Sequence, residues 1–330
     1  ERRVMNTQNI DIAVIGGGCA GMSAALAARE NGAEDIVIFE RSPYLGGVLR
    51  QCIHNGFGIH RYGEDLTGTQ YAKRLTDGVA NTNIRAKTDT IVLDVTRDRV
   101  ITTMNRSEGL IRYHVGALIF ATGCRERSRG ALLIPGSRPA GILCAGTAQR
   151  YMNIEGYLVG QKIVILGSGD IGLIMARQFV LEGAEVVAVA EVMPYSSGLM
   201  RNIVQCIEDF DIPMYYRTTV TRIVGKKRVE GVYLAEVNEE RKPIPSTERF
   251  VECDTLVLSV GLIPENELAF DLGLKISPST GGLIVDDTFQ TVIDGIFACG
   301  NGLHVHDLVD FVSMESEVAG KNAALCINGR

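Results

Sequence analysis

The chain has 330 residues, enough for two domains, and its 46% hydrophobic content with 37 glycines is typical of globular α/β proteins. The net charge of -6 disfavours binding to nucleic acid or to an anionic membrane. Residues 1–8 are polar and lack the apolar segment of a signal peptide, and no apolar run reaches the roughly 18 residues that span a bilayer. We therefore expect a cytoplasmic protein.

The first predicted elements form a βαβ unit. The apolar run Ile10–Ile15 predicts a strand, the Ala-rich segment Ala20–Glu30 predicts a helix, and Ile36–Phe39 predicts a second strand. Three consecutive glycines separate the first strand from the helix. This order of elements is typical of a nucleotide-binding domain.

The glycines of this unit have the GxGxxG spacing. Gly16 permits a tight turn, Gly18 lets the backbone approach a pyrophosphate, and Gly21 lets the helix pack closely on the strand. Glu40 lies 19 residues after Gly21, where a carboxylate accepts hydrogen bonds from ribose hydroxyls. We predict that these four residues, with Arg41 beside them, bind a dinucleotide.

A second unit of the same kind begins 151 residues later. A strand is predicted over Lys162–Leu166, a helix over Leu173–Leu181 and a second strand over Val186–Ala190. The corresponding residues are Gly167, Gly169, Gly172 and Glu191. A carboxylate at this position repels a 2′-phosphate, and the next arginine along the chain is Arg201, so NAD(H) is favoured over NADP(H).

Further elements lie outside the two units. A β-rich stretch is expected over 91–103, a hairpin over 220–237 with a basic turn at 226–228, and a final helix over Ser313–Cys326. Buried strands are expected over 117–121, 255–260 and 295–300.

Five motifs in this order resemble those of the pyridine-nucleotide-dependent flavoprotein oxidoreductases, which include thioredoxin reductase and glutathione reductase. Besides the two glycine turns they are Ala121-Thr122-Gly123, Val260-Gly261-Leu262-Ile263-Pro264, and Thr291 followed by Gly295-Ile296-Phe297-Ala298-Cys299-Gly300-Asn301. The resemblance implies an α/β fold with two Rossmann-like domains, the NAD domain inserted into the FAD domain. The implied bounds are 1–124 and 263–330 for FAD and 125–262 for NAD(P).

The resemblance also assigns site residues. It adds Gly47, Thr122, Gly123, Gly300 and Asn301 to the FAD site, and it implies that the N-terminus of the helix near Ser313 faces the flavin N1/O2 edge. The family usually has aspartate at position 301, where it bonds the ribityl chain. Asparagine still accepts through its carbonyl, so we expect FAD binding to persist.

The eight cysteines are at least 20 residues apart, which excludes CxxC motifs and local zinc knuckles. Reduced and mostly buried thiols are expected. Glutathione-reductase-like members carry CxxxxC after a GG turn, but here Leu49 and His54 occupy those positions, with Cys52 between them. The chain also ends before the C-terminal dimerisation domain of the larger members.

Two segments, 45–58 and 304–310, resemble a narrower group of flavoprotein subunits. These subunits occur with glycerol-3-phosphate-dehydrogenase-like proteins, and opine oxidase and hydrogen cyanide synthase subunits are related to them. Cys52, His54, His304 and His306 in these segments are interpreted as flavin-lining in preference to structural packing or a metal site, so no metal is predicted. His54 or His304 is a candidate proton donor.

The sequence therefore predicts an FAD-dependent NAD(H) oxidoreductase, with Cys52, His54 and His304 as the candidate catalytic residues. We expect it to be an electron-transfer subunit whose partner is a flavoprotein dehydrogenase subunit or a small electron carrier. Two alternatives stay open: a free-standing NADH-dependent reductase or oxidase of a small acceptor, and a non-catalytic nucleotide-binding scaffold.

Overall fold

The computed structural model describes residues 6–329. Residues 1–5 lie outside the described residues. They belong to segment 1–8, for which the sequence predicts no signal peptide.

The described residues form strands and helices throughout. The strands are β1 Asn6–Ile15, β2 Ile36–Phe39, β3 Asn55–Phe57, β4 Leu66–Thr67, β5 Arg85–Lys87, β6 Ile91–Val95, β7 Val100–Asn105, β8 Gly109–Phe120, β9 Cys124–Glu126, β10 Ile142–Cys144, β11 Lys162–Leu166, β12 Glu185–Ala190, β13 Met214–Tyr215, β14 Thr218–Gly225, β15 Val229–Glu236, β16 Arg249–Glu252, β17 Thr255–Leu258, β18 Leu262–Pro264 and β19 Ile296–Ala298. The α-helices are α1 Cys19–Glu30, α2 Ile59–Tyr62, α3 Gly68–Ala80, α4 Arg129–Leu132, α5 Ala145–Asn153, α6 Asp170–Leu181, α7 Met200–Cys206, α8 Glu267–Phe270 and α9 Val309–Ile327. None of these helices is both long and apolar enough to cross a membrane.

Residue contacts divide the chain into two compact units. The first comprises the chain up to Arg125 together with the chain from Ile263 onwards, and the second comprises Glu126–Leu262. The second unit is therefore an insertion in the first.

The first unit is built on a seven-stranded sheet with the order β5-β2-β1-β8-β7-β6, in which β19 also pairs with β8. Strands β5, β2, β1, β8 and β19 are parallel, and β6 and β7 extend the sheet as antiparallel strands. All four residues of β2 are buried, as expected of a parallel strand covered on both faces. Helix α1 packs against α9 so closely that a Cβ on Gly320 would lie 2.0 Å from the Ala24 carbonyl oxygen.

The second unit contains two sheets. Five parallel strands have the order β10-β17-β11-β12-β13, and β14, β15 and β16 form an antiparallel sheet. In the parallel sheet α6 connects β11 to β12, which repeats the β1-α1-β2 arrangement of the first unit. The two-domain α/β fold expected from the sequence is thus confirmed.

Most predicted elements are present, but several bounds and one conformation differ. The final helix begins at Val309 and not near Ser313, helix α6 begins at Asp170, and the strand expected over 117–121 extends back to Gly109. The His-x-His spacing at 304–306 predicts both rings on one side of a strand, yet the two residues lie in the loop between a 3-10 turn at Gly300–Gly302 and α9. Polar residues at 304, 306 and 307 carry no strand periodicity, and the His306 N–H donates to the Asn301 side-chain oxygen and not to a neighbouring strand.

Candidate functional site

The first glycine turn has the geometry that a dinucleotide needs. Gly16 has φ +113°, and a Cβ there would lie 2.2 Å from the Ala121 carbonyl oxygen. A Cβ on Gly21 would lie 1.9 Å from the Gly16 carbonyl oxygen, so Gly21 allows the helix to approach the turn. At Gly18, by contrast, no atom lies within 4 Å of the Cβ position. This open space adjoins the N-terminus of α1, which no side chain caps, so its N–H groups are available to an anion.

Glu40 directly follows β2 and is only 8% exposed. One carboxylate oxygen accepts a hydrogen bond from the Gly17 N–H at 2.7 Å, and the other accepts from the Ser42 N–H at 2.8 Å. These bonds fix the carboxylate beside the glycine turn, and each oxygen retains a lone pair for a ribose hydroxyl. Arg41 is exposed on the adjacent surface.

The other predicted FAD residues lie around this turn. The Gly46 N–H donates to the Gly17 carbonyl oxygen at 2.8 Å, and a Cβ on Gly47 would lie 3.0 Å from the Gly18 Cα. A Cβ on Gly300 would lie 2.6 Å from the Ala20 Cβ at the start of α1.

Thr122, Gly123 and Gly302 complete this region. The Thr122 hydroxyl donates to the Glu265 carbonyl oxygen at 2.6 Å, and a Cβ on Gly302 would lie 2.9 Å from that hydroxyl oxygen. Gly123 has φ +73° and open space at its Cβ position. Motifs far apart in sequence therefore meet at the carboxyl ends of β1 and β8, where ligands bind in open α/β sheets.

The N-terminus of α9 is joined to the segment 45–58. The Asp310 carboxylate is 2% exposed and accepts hydrogen bonds from the N–H groups of Gly58 and His60, at 3.0 and 3.1 Å. Within the same unit, the Tyr71 hydroxyl donates to the Ser313 hydroxyl at 2.8 Å. The two segments that resemble the narrower flavoprotein group thus lie together.

The second glycine turn repeats this geometry in the inserted unit. Gly167 has φ +99°, and a Cβ there would lie 2.0 Å from the Ser259 carbonyl oxygen. A Cβ on Gly172 would lie 2.9 Å from the Gly167 carbonyl oxygen, whereas the Cβ position of Gly169 meets only two serine hydroxyls, at 3.8 and 4.0 Å. The N-terminus of α6 also has no side-chain cap.

Glu191 corresponds to Glu40 and is 6% exposed. One carboxylate oxygen accepts from the Ser168 N–H at 2.9 Å and from the Ser168 hydroxyl at 2.6 Å, and the other accepts from the Met193 N–H at 2.8 Å. The donors lie 23 residues before and 2 residues after the glutamate, as they do for Glu40. Both units therefore present a buried, oriented carboxylate beside an open glycine turn.

An arginine that the sequence did not point to lies near Glu191. The Arg217 N–H donates to the Met193 carbonyl oxygen at 3.1 Å, and its side chain is exposed. Arg217 is 26 residues beyond Glu191, so spacing along the chain did not reveal it.

Cys52 is 7% exposed, and its Sγ donates to the Val48 carbonyl oxygen at 3.4 Å. Burial raises the pKa of this thiol to about 12. Burial likewise raises the pKa of Cys19 to about 11. All eight cysteines lie within residues 6–329, and no disulfide joins any two of them. The thiol of Cys52 is thus protonated near neutral pH, which favours a packing role over a redox role.

The histidines divide into two groups. His54 is half-buried, with its Nδ1 3.0 Å from the Asn55 carbonyl oxygen and its ring packed on Phe57. His304 and His306 stack on each other with ring centroids 3.8 Å apart, and both Nε2 atoms face Glu315. Cys52 and His54 do not belong to this cluster. Glu315 was missed because its spacing, nine residues beyond His306 across a helix start, matches no common ligand motif.

Asn301 contacts the same cluster. Its carbonyl oxygen accepts hydrogen bonds from the backbone N–H and the ring Nδ1 of His306, both at 3.1 Å. Its amide N–H donates to the Cys124 Sγ at 3.6 Å. Both lone pairs of the Asn301 carbonyl are therefore directed to His306, so the bond to the ribityl chain that the resemblance implies would replace one of these two contacts.

The chain is similar to proteins of known class over nearly its whole length. The sequence pattern of the family described as pyridine nucleotide-disulphide oxidoreductase matches residues 10–319. An opine oxidase subunit of Agrobacterium tumefaciens is 24% identical over 96% of this chain and 64% of its own length. Hydrogen cyanide synthase subunit HcnB of Pseudomonas aeruginosa is 25% identical over 97% of this chain and 71% of its own length. The crystal structure of thioredoxin reductase from T. acidophilum superimposes with a TM-score of 0.77 and 25% identity, covering 98% of both chains.

Proposed function

Because the chain belongs to the pyridine nucleotide-disulphide oxidoreductase family, we propose that it is an electron-transfer subunit that exchanges electrons between NAD(H) and a partner protein. Flavoproteins of this family use FAD and a nicotinamide dinucleotide, and this chain is such an oxidoreductase. The observation that carries the proposal is the repeated site: two glycine turns, each with a buried glutamate that the backbone orients.

The proposal assigns FAD to the first unit and NAD(H) to the second. Bound FAD supplies the flavin ring, which takes up two electrons as a hydride from NADH and gives them up again. The α1 N–H groups bind its pyrophosphate, and Glu40 accepts hydrogen bonds from the ribose. Glu191 holds the adenine ribose of NAD(H) in the same way.

The proposal also gives a role to the N-terminus of α9, which is the positive end of the helix dipole. Asp310 lies in the first turn of α9, but its carboxylate already accepts hydrogen bonds from the backbone N–H groups of residues 58 and 60. It therefore positions the loop, while the remaining N–H groups of the turn are left to stabilise negative charge on a bound cofactor.

We propose that electron transfer here uses no dithiol, and a Cys52→Ser variant is the test. The variant should retain at least about half of the rate of flavin reduction by NADH, because a thiol with a pKa of about 12 carries no charge at neutral pH. The measurement is anaerobic stopped-flow mixing with NADH. A Cys206→Ser variant, which removes a buried thiol of the second unit, is the matched control. If the rate of flavin reduction falls more than about tenfold in Cys52→Ser but not in the control, Cys52 takes part in electron transfer.

The partner is proposed from two relatives whose names describe them as subunits. This chain spans about 64% of the length of the opine oxidase subunit, so that protein's activity is not transferred to it. A flavoprotein dehydrogenase is the proposed partner, and a small electron carrier is the second candidate. A free-standing reductase of a small acceptor remains the competing function.

Affinity purification from the source cells followed by size-exclusion chromatography tests the subunit role. We expect the chain to elute with a second polypeptide that carries its own redox group, and the complex to oxidise NADH faster than the isolated chain. If the isolated chain instead elutes alone and oxidises NADH with oxygen or a small quinone at about 10 turnovers per second or more, it is a free-standing enzyme.

A further inference from the structure

A cluster of three ligand-type side chains lies between the second FAD motif and α9. The Nε2 of His306 is 2.8 Å from a carboxylate oxygen of Glu315, and the Nε2 of His304 is 3.2 Å from the same oxygen. All three ligand atoms lie within 4.8 Å of one another. Within residues 6–329 no other three histidine, cysteine or acidic side chains meet in this way.

Hydrogen bonding fixes the tautomer of His306. The backbone N–H of His306 donates to the side-chain oxygen of Asn301, which identifies that atom as the carbonyl oxygen. The ring Nδ1 faces the same oxygen at 3.1 Å and must therefore carry a hydrogen. In the neutral ring the lone pair is then on Nε2, which points at a carboxylate oxygen of Glu315 2.8 Å away. Two lone pairs at this distance repel each other, so the contact is attractive only when a proton or a metal ion is shared between the nitrogen and the oxygen.

We infer that His304, His306 and Glu315 form a binding site for a divalent transition-metal ion of the zinc type. Imidazole nitrogen and carboxylate oxygen are ligands that Zn²⁺ prefers. Donor atoms around a tetrahedral zinc, at about 2.0–2.1 Å from the ion, lie about 3.3–3.4 Å from one another. The measured separations of 2.8–3.3 Å therefore need only small side-chain movements to admit the ion.

The surroundings agree with a metal site that has an open position. The His306 side chain is 4% exposed, whereas those of His304 and Glu315 are 38% and 31% exposed. Three protein ligands with solvent access leave a fourth position for water or a small ligand. Asn301 acts as an outer partner, because its carbonyl holds the Nδ1–H of His306 and so directs Nε2 to the ion. His304 and His306 are thus assigned as metal ligands and not as flavin-lining residues alone.

Zinc binding to the flavin-loaded protein tests the site. The protein is first stripped with a chelator and then dialysed to equilibrium against Zn²⁺, and bound zinc is measured by mass spectrometry. We expect one zinc per chain with a dissociation constant of about 1 μM or lower. The variants His304→Ala and Glu315→Gln should each weaken binding at least about 30-fold, and Asn301→Ala should weaken it about 10- to 100-fold.

Control experiments distinguish zinc bound at this site from zinc bound by other side chains, and loss of binding from misfolding. His114→Gln removes an exposed histidine of the same unit and should leave zinc binding unchanged. Titration with Co²⁺ should give a spectrum without thiolate charge-transfer bands, because no cysteine belongs to the cluster. FAD content and melting temperature identify any variant that fails to fold. His304→Ala, at a partly exposed position, is the variant expected to disturb folding least. Failure of the wild-type protein to bind zinc, or full binding by both His304→Ala and Glu315→Gln, would overturn the inference.

Discussion

A Gly18→Val variant is expected to fold and yet to lose FAD affinity by at least about 100-fold, equivalent to about 2.7 kcal/mol. Apart from the chain neighbours, no protein atom lies within 4 Å of the Cβ position of Gly18, so a side chain can begin there without a backbone clash. It fills the space through which the pyrophosphate approaches the α1 N–H groups. Fluorescence titration of the apoprotein with FAD measures the affinity, and thermal unfolding without FAD checks the fold.

Gly169→Val is the matched control in the other unit. Its Cβ position is nearly as open, with serine hydroxyls at 3.8 and 4.0 Å. This variant should retain FAD while its reduction by NADH becomes at least about 100-fold less efficient, since the same approach to the α6 N–H groups is blocked. Loss of FAD from Gly169→Val with retention in Gly18→Val would reverse the proposed assignment of the two cofactors.

NADH is expected to reduce the protein about 30- to 150-fold more efficiently than NADPH, a difference of about 2–3 kcal/mol. The Glu191 carboxylate is buried, is oriented by Ser168 and Met193, and would repel a 2′-phosphate. Stopped-flow reduction with each dinucleotide gives the ratio of kcat/KM values. Glu191→Gln keeps the shape of the side chain but removes its charge, and should lower the ratio about tenfold.

Arg217 provides the control for this preference. Its backbone lies beside Met193, and an arginine near the adenine ribose is the feature that accommodates a 2′-phosphate. If Glu191 dominates, Arg217→Gln changes the preference for NADH by less than about threefold. Equal rates of reduction by NADH and NADPH in the wild-type protein would contradict the prediction.

The sequence predicted the fold well where local patterns were strong. The strands Ile36–Phe39 and Lys162–Leu166 have the predicted bounds because each is a short apolar run that ends at a turn. The first and third glycines of each turn were predictable because a positive φ or a close backbone contact excludes a side chain there. The two-domain α/β architecture follows from the repetition of this pattern.

Other features depend on contacts between distant residues, which no local pattern records. The start of α9 at Val309 was missed because Asp310 is bound by backbone groups of residues 58 and 60, 250 or more positions away. Arg217 and Glu315 approach Met193 and His306 only through tertiary structure. The stacking of His304 on His306 likewise arises in a loop whose conformation the HxH spacing does not determine.

Anaerobic titration of the purified, FAD-incubated protein with NADH tests the central claim most directly. We predict a yellow protein that holds one FAD per chain and whose visible flavin absorbance is fully bleached by about one equivalent of NADH. A scaffold that only binds nucleotides would hold FAD without being bleached. A protein that remains colourless after incubation with FAD, or a bound flavin that NADH leaves unchanged, would contradict the proposed function.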